Sequence, residues 1–261
     1  MKKFFALMLA VLMIAGIAVS MISCEKAADA ELVYAVEAGS AGEEVANELG
    51  YKINSVASQA DALMEVASGT SDAAIIDLLM AGAMIGEGTS YPNLTKTDEL
   101  TTEEYGVGCR KGSDLASYIN AVLSETYASG KLQEVATTYG VQAALAEQPA
   151  DVTFTEGDGD VKYIQDKGTL VVGITDFAPM DYEKDGEWIG FDADMAKIVA
   201  EKLGVKIEFI VIDWDTKTME LDSKQIDVVW NGMTLTPDML AAMECSNPYC
   251  HNAQVIVVPA K

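Results

Sequence analysis

Apolar positions along the chain fall into short blocks of two kinds. Leu32 to Val36, Ala73 to Ile76, Thr169 to Ile174, Asp227 to Trp230 and Ala253 to Val258 are compact, largely apolar runs of strand length, joined by the more alternating Lys52 to Val56 and Lys206 to Val211. Ala41 to Leu49, Gln59 to Ala67, Phe191 to Leu203 and Pro237 to Met243 space their apolar residues along one helical face, and Leu78 to Ile85 is apolar throughout. Glu43 and Glu44 fall in the first turn of their helix, where negative charge suits the positive helix end. Each half therefore reads as strands alternating with helices, the pattern of a parallel sheet with helices on its faces. Between the halves, Asp114 to Ala128 and Lys131 to Tyr139 predict two amphipathic helices split by Ser129-Gly130, and the proline-, glycine- and acid-rich stretch 147–160 predicts a solvated linker.

The halves also echo one another. Ala46 to Ile53 recurs, with changes, as Ala200 to Ile207, and Met64-Glu65, Ser68 and Asp72 recur as Met219-Glu220, Ser223 and Asp227 at the same offset to within one residue. Helix ends often finish in Leu-Gly because glycine tolerates the left-handed cap. Two matches in order nevertheless favour one construction used twice.

A chain of 261 residues can bury one large or two modest cores, and 50% apolar residues exclude wholesale disorder. Seventeen Lys and Arg against 41 Asp and Glu give a net charge of −24, which argues against a phosphate-tracking nucleic-acid binder. One histidine and four scattered cysteines supply neither a multi-histidine metal centre nor a zinc ribbon, so neither metal nor cofactor is expected. Lys2 and Lys3 precede an uncharged apolar stretch from Phe4 to Ile22, the form of an export signal, with a membrane anchor as the alternative. Met21 to Cys24 resembles a lipobox, which implies lipidation at Cys24 and a protein tethered to the outer face of the cell membrane.

Thr169 to Gly173, Asp176-Phe177, Gly190-Phe191-Asp192, Asp213-Trp214, Gly232-Met233-Thr234, Thr236-Pro237 and Ser246 to Tyr249 together resemble the first lobe of the polar amino-acid-binding proteins of ABC importers. Gly39-Ser40, Ser71 to Ala74 with Asp77, Tyr105 to Gly108 and Lys111 to Asp114 resemble the rest of that family. The resemblance implies an α/β protein of two Rossmann-like lobes joined at a hinge, the type II periplasmic-binding-protein fold. Because the first-lobe-like segment comes last, it also implies a circularly permuted lobe order, with a gene fragment as the alternative. The expected organisation is a signal peptide at 1–24, a second-lobe-like domain at 32–105, a hinge strand and closing helices at 106–146, the linker at 147–160 and a first-lobe-like domain at 161–261. In that order the strand from Tyr105 to Arg110 would be the single covalent link between lobes, and the segments near Leu32 and Lys261 would meet at the hinge.

Carried over residue by residue, the resemblance places a solute in the interlobe cleft. Asp176 and Phe177, with Tyr182 and Trp230, would be cleft walls, although the three aromatic residues read equally well as core. Gly232 would accept from an α-amino group, and Thr234, Ser40 and Ala41 would donate to a carboxylate, a location that orphan helix amides favour; Ser40 also reads as an ordinary N-cap. Asp77 would pair with the ligand ammonium. Where the family places a carboxylate-gripping arginine, this chain has Met239, and its one arginine is Arg110. Cys245 and Cys250 admit either a short-loop disulfide or two thiols. Expected partners are a small polar solute and a membrane ABC permease, with a monomeric protein doing no chemistry. A dehydratase on the same scaffold, using Asp176 or Asp77 as a general acid of raised pKa, or a sensory module, are the rivals.

Overall fold

The computed structural model describes residues 32–261; the export signal and Cys24 lie outside the described residues. In chain order the elements are β1 (Val33–Glu37), α1 (Ala41–Glu48), β2 (Lys52–Val56), α2 (Gln59–Ser68), β3 (Ala73–Asp77), α3 (Leu78–Met84), β4 (Leu94–Glu99), β5 (Glu103–Cys109), α4 (Leu115–Ala128), α5 (Lys131–Thr138), α6 (Asp160–Lys167), β6 (Thr169–Ile174), β7 (Tyr182–Lys184), β8 (Glu187–Ile189), α7 (Phe191–Leu203), β9 (Lys206–Val211), α8 (Lys217–Asp222), β10 (Val228–Thr234), α9 (Pro237–Ala242), β11 (Glu244–Cys245), β12 (Cys250–Asn252) and β13 (Gln254–Pro259).

Besides the small antiparallel pair β7-β8, the strands form two large sheets of one design. The first runs β2-β1-β3-β13-β4 and the second β9-β6-β10-β5-β11, with β12 also paired to β5. In each, three parallel strands are followed by a fourth that runs antiparallel to them and a fifth antiparallel to the fourth. The repeat in the sequence thus has a physical counterpart: β2 and β9, which contain Ile53 and Ile207, occupy equivalent outer positions. The runs of β3 and β6 are apolar because strands sandwiched between helices are buried on both faces. Helices α4, α5 and α7 pack with the second sheet.

The fourth strand of each sheet comes from the other half of the chain. The run Ala253 to Val258, expected in the 161–261 domain, instead enters the first sheet as β13, with Val255 opposite Ile76 and Ile256 opposite Ile75. Residues Glu103–Cys109 enter the second sheet beside β10, so the first lobe ends before residue 105. The expectation of a single covalent link is therefore corrected: the chain crosses between Glu99 and Glu103 and again between Asn252 and Gln254. The two crossings lie side by side, Leu100 N donating to Gln254 O at 2.8 Å and Gln254 N donating to Thr101 Oγ1 at 2.8 Å. A strand apolar on both faces fits the middle of either sheet, which is why pattern alone misassigned β13. Nor do Val33 and Pro259 meet at these crossings. Tyr34 pairs with Ala73 and Val257 with Ala74, which puts the start of β1 and the end of β13 at the opposite end of the sheet.

One open alternative closes and one expectation changes. Cys245 and Cys250 are unbridged thiols. Both pair with β5, Cys245 opposite Gly108 and Cys250 opposite Tyr105, so about 10 Å of strand separates them, beyond disulfide reach. The stretch 147–159 lacks regular structure yet is pinned: the Phe154 ring meets Tyr118 edge-on, and Gln148 Nε2 donates to Pro248 O at 2.8 Å. Asp160 is not linker but the first residue of α6, where it accepts from Arg110 Nε at 3.0 Å. Arg110 also donates to Ile226 O at 2.8 Å and reaches Asp227, so the sole arginine knits the interior of the second lobe.

Candidate functional site

The C-terminal ends of β1, β3 and β10 open onto the gap between the lobes, the usual crevice of open α/β sheets. A cavity of about 100 Å³ lies there. Of the residues the sequence singled out, Ser40, Ala41 and Asp77 line it from the first lobe and Phe177, Gly232 and Thr234 from the second. Asp176 and Tyr182 line a separate, more open groove with Met84, Tyr139 and Pro179. Trp230 is no wall. It is 1% exposed, four residues before the end of β10, and packs near Tyr249 in the core.

The helix start at α1 is held by a reciprocal cap: Ser40 Oγ accepts from Glu43 N at 3.1 Å, and Glu43 Oε2 accepts from Gly39 N at 2.7 Å. The Thr234 hydroxyl donates to Glu103 Oε2 at 3.1 Å. Asp77 is fully engaged by the protein. Its Oδ1 accepts from Tyr105 Oη at 2.7 Å, from Gln254 Nε2 at 2.9 Å and from Asn252, and its Oδ2 accepts from Gln59. Burial, reinforced by Glu103, pushes Asp77 up to about 7.

Four charged residues in the cavity wall, Glu37, Glu44, Lys217 and Asp238, escaped the sequence reading of the site, and two of them, Glu37 and Lys217, are buried. Glu37, the last residue of β1, is 3% exposed, and its Oε1 has no hydrogen-bond partner. Burial and the neighbouring Asp77 push its carboxyl up to about 8. Lys217, at the start of α8, is also buried; its Nζ donates at 2.9 Å to both Gly39 O across the gap and Trp214 O, and lies 4.7 Å from the centre of the Trp214 ring. Burial holds it down to about 8 against the pull of Glu37. A strand-final acid matching Asp77 on the adjacent parallel strand was the available signal for Glu37; Lys217 offered none, since a lysine opening a helix usually faces water. Met239, in place of arginine, completes this side of the wall.

Behind Gly232 lies a buried acid pair. Asp192 Oδ2 accepts from Gly232 N and from Tyr249 Oη, each at 2.7 Å, and Asp181 Oδ2 accepts from Asn231 Nδ2 at 2.8 Å. Gly232 sits at φ +56°, and a Cβ there would lie 2.3 Å from the Phe177 ring, so only glycine fits. Burial raises Asp192 to about 7 and, with the charge of Asp192 added, raises Asp181 well above the carboxylate range.

These shifts predict an inverted pH dependence. Glu37, Asp77, Asp181 and Asp192 bind protons more tightly folded than unfolded. The contribution of Glu37, Asp77 and Asp192 is complete below about pH 4 and is lost as pH rises through 7 to 8, at roughly 1.4 kcal/mol per pH unit for each extra proton the folded state holds, and Asp181 acts in the same direction. Lys217 acts in the opposite sense only above about pH 8, where the unfolded side chain alone stays charged. The thermal midpoint should therefore fall from pH 5 to pH 8, and less so in Asp192→Asn. A midpoint that rises across this window would contradict the assignment.

Among the described residues, no group of three or more His, Cys, Asp or Glu side chains is placed to hold a metal ion. Residues 170–261 match the family described as bacterial extracellular solute-binding proteins, family 3. A probable amino-acid ABC transporter-binding protein of Haemophilus influenzae is 34% identical over 44% of this chain and 46% of its own length. The arginine-binding extracellular protein ArtP of Bacillus subtilis is 34% identical over 36% of this chain and 37% of its own. The chain thus spans less than half the length of these curated relatives. Among solved structures, an ancestral cationic amino acid solute-binding protein is 39% identical, covering 32% of this chain and 37% of its own, with a TM-score of 0.31.

Proposed function

We propose that this protein, whose residues 170–261 match the bacterial extracellular solute-binding proteins, family 3, works outside the cytoplasm, capturing an amino acid or related amine between its lobes and presenting it to a membrane ABC permease. The observation that carries this reading is the interlobe cavity, where Ser40, Phe177, Gly232 and Thr234 converge from the two lobes. The names of the relatives, which describe binding proteins, support it. The protein would be lipid-tethered through Cys24, act as a monomer and do no chemistry. A permuted lobe order belongs to the same proposal, supported by a family match that falls after the sheet-forming residues 33–99.

The dehydratase reading asks for an acid held protonated near neutrality, and Asp77 and Glu37 have that property. Against it, both oxygens of Asp77 are taken by protein donors, and Asp176 lies in the outer groove. The discriminating experiment is a thermal-shift and calorimetric screen of the ligand-stripped protein against amino acids and polyamines, beside a turnover assay on prephenate-like acids. Saturation at a hundred times Kd should add about 2.7 kcal/mol of stability. Turnover, or a panel without one binder, would overturn the proposal.

A further inference from the structure

We infer that Glu37 and Lys217 are the two charged anchors of the ligand, Glu37 for its ammonium and Lys217 for its carboxylate, so that the cavity takes a short-chain zwitterionic amino acid. This rests on the reading that the cavity captures an amine-bearing solute. Glu37 carries the open acceptor: its Oε1 is buried and unpartnered at the cavity wall, whereas both oxygens of Asp77 are taken. An ammonium donor satisfies that oxygen and supplies the opposite charge a buried carboxylate requires.

Lys217 stands on the other lobe. Two of its three N–H donors reach Gly39 O and Trp214 O, which leaves one for a ligand. Among the described residues, neither Glu37 nor Lys217 belongs to an ion pair within 4.0 Å, although both line one cavity and each is felt by the other's charge. A molecule bearing both charges at close spacing bridges them. Lys217 thereby provides the cation that Met239 cannot. The cavity volume of about 100 Å³ favours a compact ligand, since a site of about 150 Å³ accepts a molecule the size of benzene.

The test is a ligand ladder measured by calorimetry on the native protein: L-alanine, ethylamine, propionate, L-arginine and putrescine. Alanine should bind best, with removal of either charged group costing about ten- to a hundredfold. Lys217→Met should weaken alanine by a similar factor and leave ethylamine unchanged; Glu37→Gln should weaken alanine and leave propionate unchanged. Ethylamine binding as well as alanine, or arginine or putrescine binding better, would overturn the inference while leaving amine capture standing. If none of the five binds to the folded protein, both fail. The ladder needs no variant, so a misfolded substitution cannot shelter the idea.

Discussion

Trp230→Ala is expected to lower the stability of the protein by about 3–5 kcal/mol, read as a shift in the urea midpoint, while the folded fraction keeps its ligand affinity to within a few-fold. The indole is 1% exposed on β10 and lies near Tyr249, itself 1% exposed and hydrogen-bonded to Asp192. Truncation empties the space of the largest side chain in the main core, and the surrounding sheet can close it only in part. Against a usual total of about 5–15 kcal/mol, such a loss is a third or more. The opposite result, an unchanged midpoint with affinity lost, would return Trp230 to the cleft wall.

The second large effect concerns closure. In Gly39→Val the affinity for the ligand should fall by about a hundredfold or more, and ligand should no longer reduce the radius of gyration in solution scattering. Gly39 lies at φ +70°, and a Cβ there would stand 2.5 Å from the Cα of Asp215 on the facing lobe. The nearest atom it meets is backbone, so no side-chain rotation on the facing lobe relieves the contact. Pushing the lobes apart also breaks the bond from Lys217 Nζ to Gly39 O. If the competent closed form drops a hundredfold in population, apparent affinity drops by the same factor. Binding within threefold of the native protein would show that closure does not need this approach.

Much of the architecture could be read in advance because it is local. Lys52–Val56, Thr169–Ile174, Phe191–Leu203 and Lys206–Val211 have the boundaries the periodicity predicts, and Gly204 caps α7 in the left-handed conformation. What escaped is the information carried between distant residues. The polar strand β4 and the short strands β11 and β12 exist because a neighbour offers an edge, not because of their own sequence. The same holds in the site. Asp77 drew attention as a lone acid after a buried run, yet its partners Gln59, Tyr105, Asn252 and Gln254 come from three separate parts of the chain. Glu37 gained its importance because no such partner closes over its Oε1.

The exchange of β5 and β13 between sheets bears on how the molecule comes into being. During synthesis residues 33–99 emerge early, but the sheet they build keeps an open slot between β3 and β4 until residues 254–259 arrive to fill it. Long-separated pairings of this kind form slowly, and the waiting strand edges are adhesive. The lobe translated first is thus the last to be finished, waiting on residues 254–259 for its central strand.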